Sequence, residues 1–476
     1  MALVAVIGVE VHAELLTESK MFCACKNEFG GEANSRCCPV CIGLPGAMPV
    51  PNRRAVELTM LAGMGLNCKV NKVARFYRKN YFYPDLSKNY QISQYDEPTT
   101  HDGYMDLDVD GETVRIGIAR AHLEEDTGKN LHLPDGRTLV DYNRCGVPLM
   151  EVVTEPDFRS AEQVREYLLQ LRRLLRYLGC STANMEEGAM RAEANVNYVD
   201  FETGDKTPII EVKNIGSITN CYNAIKYELV RQKRELEDGT LPSYRETRRW
   251  DEARGVTSPM RQKESADDYM YFPEPDLVPM APPDEWVDEI RAGMPELPWD
   301  RQKRYTEQFG LPEYDAQVLC EDRAVADYFE ELAQISADPK QASNWVMGNV
   351  MATLNEQGIG IEQFGVPAAH MGELLQVVQD GAISNSIAKD VYAKMVQSGD
   401  APGEIIEREG LKQISDTGEL EGIVRQAIEA NPKAIEDLRA GKKKAAGAIV
   451  GFVMKATKGQ ANPKLVNELL NKALEE

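Results

Sequence analysis

The stretch FPEPDLVPMAPPDEW, residues 272–286, carries five prolines in fifteen residues. Proline lacks a backbone donor and fits neither a helix interior nor a central strand. A structural break is therefore predicted here, and the hydrophobic period changes across it. Upstream, short β-like runs alternate with turns: VAVIGVEVHAEL from Val4, VRIGIARAHLEE from Val114, LMEVVTEP from Leu149, RAEANVNYV from Arg191 and IIEVKN from Ile209. Helical spacing appears between them, most clearly over 160–179, but no regular βαβ rhythm does. That pattern predicts an α+β domain with an antiparallel sheet. Downstream the period is almost entirely helical over 296–400. Pro402 and Gly403 mark a second break, and the rest reads as a small helical domain.

The chain has 476 residues, 43% hydrophobic and 27% charged, enough for more than one core. No run of about 20 apolar residues is present, so no membrane span is expected. The N-terminus lacks a basic n-region and meets a charge at Glu10, which argues against a signal peptide and for a cytoplasmic location. The net charge of −22 argues against nucleic-acid binding if taken as a sum. Local distribution matters more: residues 441–476 carry seven Lys against three Glu, and 72–88 is also basic.

The strand-like runs share one feature. Each offers a carboxylate: Glu10 with His12, Glu125, Glu151, Glu193 and Glu211. Residues two apart in a strand share a face, so Glu10 and His12 project together while Val9 and Val11 take the other side. Several carboxylates on one sheet face are costly unless cations meet them. Mg²⁺ suits oxygen donors and bridges nucleotide phosphates. The alternative is a solvated rim of acids. No Walker-type loop is present, so an ATP site here is not of the P-loop kind.

Five of the ten cysteines lie between Cys23 and Cys41. The pairs Cys23-x-Cys25 and Cys38-Pro-Val-Cys41 can bring four thiolates around a structural Zn²⁺. The alternative is a set of buried thiols, and Cys37 leaves the ligand assignment open. Residues 76–95 interleave Arg78, Lys79 and Lys88 with tyrosines. Such rings either stack on bases or an adenine, or pack as a loop with wet hydroxyls.

Ordered strings through the whole chain resemble the B-subunit family of the aspartyl/glutamyl-tRNA amidotransferases. They include IGVEVHAEL, CPVCIGLPGAMPV, RKNYFYPDLSKNYQISQYDEP, RAHLEEDTGK, DYNRCGVPLMEVVTEPD, MEEGAMRAEANV, EVKNIGS and VMKATKGQANP. The resemblance implies a glutamine-synthetase-like cradle domain over 1–293, a helical domain over 294–404 and a tRNA-binding tail over 405–476. It implies ATP-dependent phosphorylation of the side-chain carboxyl of Glu-tRNA(Gln) or Asp-tRNA(Asn), followed by amidation with ammonia.

The resemblance places catalytic and Mg²⁺-binding roles on His12, Glu125 and Glu151, a second metal group on Glu10, Glu193 and Glu211, and an ammonia path along Lys79 and Lys88. One departure is Glu193, where the family string carries aspartate. No G-x-S-x-G elbow is present, and the resemblance supplies a partner amidase (the A subunit) as the ammonia source, with a small C subunit. Two other readings share part of this pattern: a ligase acting on a free small acid, and a tRNA-binding scaffold without activity.

Overall fold

The computed structural model describes residues 3–262, 269–411, 417–439, 446–457, 461 and 463–475. The chain divides into two compact units, Met1–Pro298 and Trp299–Glu476.

The first unit contains strands β1 (Val4–Glu14), β2 (Lys69–Val70), β3 (Tyr77–Asn80), β4 (Tyr90–Ser93), β5 (Thr100–Val109), β6 (Glu112–Glu125), β7 (Lys129–His132), β8 (Thr138–Asp141), β9 (Pro148–Thr154), β10 (Met190–Val199), β11 (Ile210–Lys213), β12 (Glu246–Asp251), β13 (Val256–Gln262) and β14 (Phe272–Pro273). Nine of them form one sheet in the order β13-β12-β11-β10-β1-β9-β6-β5-β2. Its pairs are antiparallel, as expected, except that β11 and β12 run parallel.

Helices α1 (Arg53–Gly65), α2 (Ala161–Tyr177) and α3 (Ile218–Glu237) pack against the sheet. The helix expected over 160–179 is α2. Ser160 caps it by accepting from Gln163 N, and Val164, Leu168, Leu171 and Leu175 form its buried stripe. With one face covered by helices, Val9, Val11 and Ala13 of β1 are buried, while Glu10, His12 and Glu14 take the alternate side.

The proline-rich stretch does not act as a linker. Its first residues form β14, which pairs with β3, and Met280 bridges Ala74. Glu274, 2% exposed, receives Arg78 through two hydrogen bonds at 2.7 and 2.8 Å. Proline is tolerated here because the segment lies at the edge of a small three-stranded sheet, β14-β3-β4. The change of unit comes later, at Pro298/Trp299.

Among its described residues the second unit is helical. One buried cluster runs from Tyr305 to Ile406, with Phe329, Trp345, Leu375 and Tyr392 in it. A separate cluster runs from Leu420 to Leu470. Pro402 opens a helix, Pro402–Glu409, rather than ending one, and Ile405 and Ile406 join the first cluster. Proline suits that first helical position because its missing N–H is not needed there. The basic stretch 441–445 of the expected tRNA-binding tail lies outside the described residues. No helix among the described residues is long and apolar enough to cross a membrane.

Candidate active site on the open sheet face

Strand register assembles the site. His12 of β1 stands opposite Glu151 of β9, which in turn stands opposite His122 of β6. His12 Nε2 lies 3.5 Å from Glu151 Oε2, and His122 Nε2 lies 3.3 Å from the same oxygen. Glu124, two residues beyond His122, shares its face and places Oε1 3.9 Å from His12 Nε2. His12, Glu124 and Glu151 thus form one group of donors within 4.8 Å of one another.

A second group forms on the other side of β1. Glu10 opposes Glu193 of β10, and Asn195 opposes Glu211 of β11. Glu10, Glu193 and Glu211 also bring donors within 4.8 Å. Lys213 Nζ lies 2.7 Å from Glu193 Oε2 and 3.6 Å from Glu211 Oε1. Asn195 donates to Glu10 Oε1 at 3.0 Å, and Thr247 donates to Glu211 Oε2 at 2.8 Å.

Both groups line one open cleft of about 420 Å³, together with Lys79, Tyr81, Tyr95, Arg245, Tyr269 and Tyr271. Tyr95 and Tyr271 stack at 4.4 Å between centroids. The aromatic-basic segment divides accordingly. Tyr77 is buried, Tyr81 and Tyr95 face the cleft, and Phe82 and Tyr83 are exposed.

The electrostatics follow from crowding. Burial lowers the His12 imidazole pKa, but Glu151 and Glu124 outweigh it and raise the value to about 9. Burial likewise opposes the Glu151 carboxylate, yet His122 and His12 hold it well below the usual range. Burial works against the Lys79 ammonium, and Glu124 more than restores it. Glu124 Oε2 is buried without a hydrogen-bond partner, and Lys79 Nζ is 3.9 Å away. A buried carboxylate oxygen lacking a donor calls for a cation. Two acidic groups beside one cleft therefore fit hard divalent ions.

Glu125 corrects the sequence expectation. It does not join His12 and Glu151. Successive strand residues point to opposite faces, and Glu125 faces away from Glu124. Its Oε1 accepts from Ile92 N at 2.9 Å and pairs with Lys88 Nζ at 2.5 Å. Sequence reasoning missed Glu124 and His122. Their i, i+2 spacing in a β run was the available signal. The two expected ammonia-path lysines separate in the same way, Lys79 toward the cleft and Lys88 toward a small cavity of about 60 Å³ with Glu125.

That cavity abuts the cysteine cluster. Cys23, Cys25, Cys38 and Cys41 bring their sulfurs within 4.8 Å of one another, and Cys37 is not in the group. Cys38 N donates to Cys41 Sγ at 3.1 Å, closing the Cys38–Cys41 turn into a cysteine knuckle. Its hydrogen bond from Cys23 pushes the Cys41 thiol down, and the same contact pushes Cys23 up. The Lys20 ammonium is buried beside them, 3.8 Å from Cys41 Sγ, and donates to Arg36 O at 2.9 Å. Four converging sulfurs and a buried cation suit a thiolate-bound Zn²⁺.

Comparison with known proteins agrees with this architecture. The GatB/GatE catalytic domain model matches residues 5–288, and the GatB domain model matches residues 327–474. The B subunit of the aspartyl/glutamyl-tRNA(Asn/Gln) amidotransferase from Caldanaerobacter subterraneus subsp. tengcongensis is 50% identical over 470 residues, covering 99% of both chains. Its counterparts from Carboxydothermus hydrogenoformans and Brevibacillus brevis are 49% and 46% identical, each over at least 98% of both chains. With its sheet unit matched almost end to end and relatives aligned over nearly their whole length, this chain belongs to the family of aspartyl/glutamyl-tRNA(Asn/Gln) amidotransferase B subunits.

Proposed function

We propose that this chain activates the side-chain carboxyl of Glu-tRNA(Gln) or Asp-tRNA(Asn) with ATP and directs ammonia to the activated group, yielding the amide. It works in a complex with a partner amidase and a small third protein that clamps the two, in the cytoplasm. The observation that carries the reading is the pair of acidic donor groups on one cleft wall. His12, Glu124 and Glu151 would hold one Mg²⁺, and Glu10, Glu193 and Glu211 the other. Divalent ions held there would neutralise nucleotide phosphates and the charge that develops during phosphoryl transfer.

The chain's own residues prepare this chemistry. A carboxylate oxygen is a poor leaving group, and phosphorylation supplies a better one. Lys79 and Lys213 reach the two acidic groups from either side, where their charges hold phosphate oxygens. The rings of Tyr81, Tyr95, Tyr269 and Tyr271 give the cleft an apolar wall against water.

Ammonia needs a guarded route, because ammonium is not a nucleophile and water competes for the acyl phosphate. Around β4 and the end of β6, alternate residues serve the two cavities. Tyr90, Ile92 and Glu125 face the small cavity, while Gln91, Ser93 and Glu124 face the cleft. Lys88 and Lys79 stand on the two sides of that partition. This supports a path that crosses it. Cys23, Cys25, Cys38 and Cys41 would hold a structural Zn²⁺. The chain is organised as a sheet domain followed by two helical domains, supported by the separate buried clusters. The last begins after the Pro402–Glu409 helix rather than at 405, because Ile405 and Ile406 belong to the first helical cluster, and it binds tRNA.

The test uses the chain co-expressed with its amidase and clamp partners, given ATP, Mg²⁺ and ammonium. Gln-tRNA forms from Glu-tRNA(Gln), or Asn-tRNA from Asp-tRNA(Asn), and ATP hydrolysis rises only with misacylated tRNA. ATP hydrolysis driven equally by free glutamate or aspartate would reject the tRNA-dependent reading.

A further inference from the structure

Outside the carboxylate cleft, the loop that follows the cysteine knuckle lies against Lys88, a residue of the proposed ammonia path. Gly43 follows Cys41 by two residues and has φ +69. A Cβ built on it would sit 2.3 Å from Lys88 Cγ and 3.3 Å from both Lys88 Cβ and Cδ. The lysine stem therefore lies directly on the bare glycine. The obstructing atom is near the root of the side chain, so it does not swing away cheaply.

The carbonyl of Cys41 ties the neighbouring segments to the same loop. Ser87 Oγ donates to it at 3.0 Å and Cys145 Sγ at 3.1 Å. Ser87 precedes Lys88. Cys145 precedes Gly146, which with Glu125 and Cys41 lines the small cavity. The cavity is large enough for a few molecules the size of water or ammonia. Lys88 and Glu125, paired at 2.5 Å, both line it.

We infer that Gly43 and the Cys41 carbonyl form a seat that fixes Lys88 against Glu125, making the cysteine knuckle the positioning device for ammonia passage between the two cavities. The inference rests on the ammonia route proposed above. Gly43 touches no reacting atom and acts through Lys88. Its side-chain-free surface matters in addition to its backbone conformation.

The loop supplies its own control. Gly46 has φ +84, and a Cβ built on it meets nothing within 4 Å. Gly43→Ala and Gly46→Ala thus share the backbone strain of a left-handed alanine, and only the first displaces Lys88. The experiment measures, in the full complex, glutamine hydrolysed per amidated tRNA formed. Gly43→Ala is expected to raise that ratio about tenfold, since a misplacement of about 1 Å costs up to about 10²-fold. Added ammonium should restore its product formation, and Gly46→Ala should match the parent.

The melting temperature and the number of thiols reacting with a disulfide reagent should be the same in both variants. Equal ratios in Gly43→Ala and Gly46→Ala would overturn the seat. Should Gly43→Ala fail to fold, Ser87→Ala removes one tie to the Cys41 carbonyl and is read in the same way. A raised ratio supports the seat, and an unchanged one overturns it. Lys88→Met separates the two levels of the argument. If it leaves the ratio unchanged, the route itself is wrong. If it raises the ratio while the seat variants do not, only the seat is wrong.

Discussion

Glu124→Gln and Glu125→Gln separate two adjacent carboxylates with different tasks. Glu124 Oε1 stands 3.9 Å from His12 Nε2, in the donor group that includes Glu151. Glu125 turns to Lys88. The amide preserves the shape of Glu124 and removes one unit of charge from beside the cation site. At a separation of about 4 Å and an effective dielectric of about 20, one pair of unit charges interacts by about 4 kcal/mol. At about 1.4 kcal/mol per tenfold in rate, that is a ceiling of about 10³. With part of that charge already felt in the ground state, about 10²-fold is the expected loss. The assay is ATP hydrolysis by the complex, stimulated by Glu-tRNA(Gln) with ammonium present. Glu124→Gln should lower it by about that factor, and Glu125→Gln by much less. Glutamine-dependent product, in contrast, should fall in both. If Glu124→Gln stays near the parent rate while Glu125→Gln abolishes ATP turnover, the alternation argument is refuted.

Zinc should be present at one ion per chain by elemental analysis and be lost in Cys41→Ser, while Cys37→Ser retains it, because Cys37 lies outside the sulfur group. Leu171 is fully buried on α2, so Leu171→Ala should cost about 2–5 kcal/mol in denaturant unfolding of the first unit; a smaller loss would mean that the helix packs less closely on its neighbours. In the second unit, burial works against the Glu330 carboxylate, but Arg301 and Arg304 outweigh it and hold its pKa below the ordinary 4.5. Its contribution to stability is therefore complete above the unfolded value and lost as pH falls through the folded one. Glu330→Gln should flatten that acid limb of the melting curve.

Much of the site was legible in the sequence. Alternation in VEVHAE placed Glu10 and His12 on one face, because a half-covered sheet sends its valines to the helices and its polar residues to the other side. Cysteine spacing was enough to bring four thiols together. The order of the hydrophobic periods was enough to place a sheet unit before helical ones.

Tertiary structure decided the rest. At the end of β6, residues 121–126 are all buried, so alternation of burial disappears and AHLEED does not reveal which glutamate faces the cleft. The pairing of His122 with Glu151 sets the phase and selects Glu124. The proline-rich stretch looked like a boundary, yet Glu274 folds back to Arg78, a partner 196 positions away. The seat of Lys88 on Gly43 had no local signal either, because a missing side chain acquires meaning only when another chain segment lies against it. Period and spacing act within a segment and can be read from it; register and close approach arise between segments, and only folding determines them.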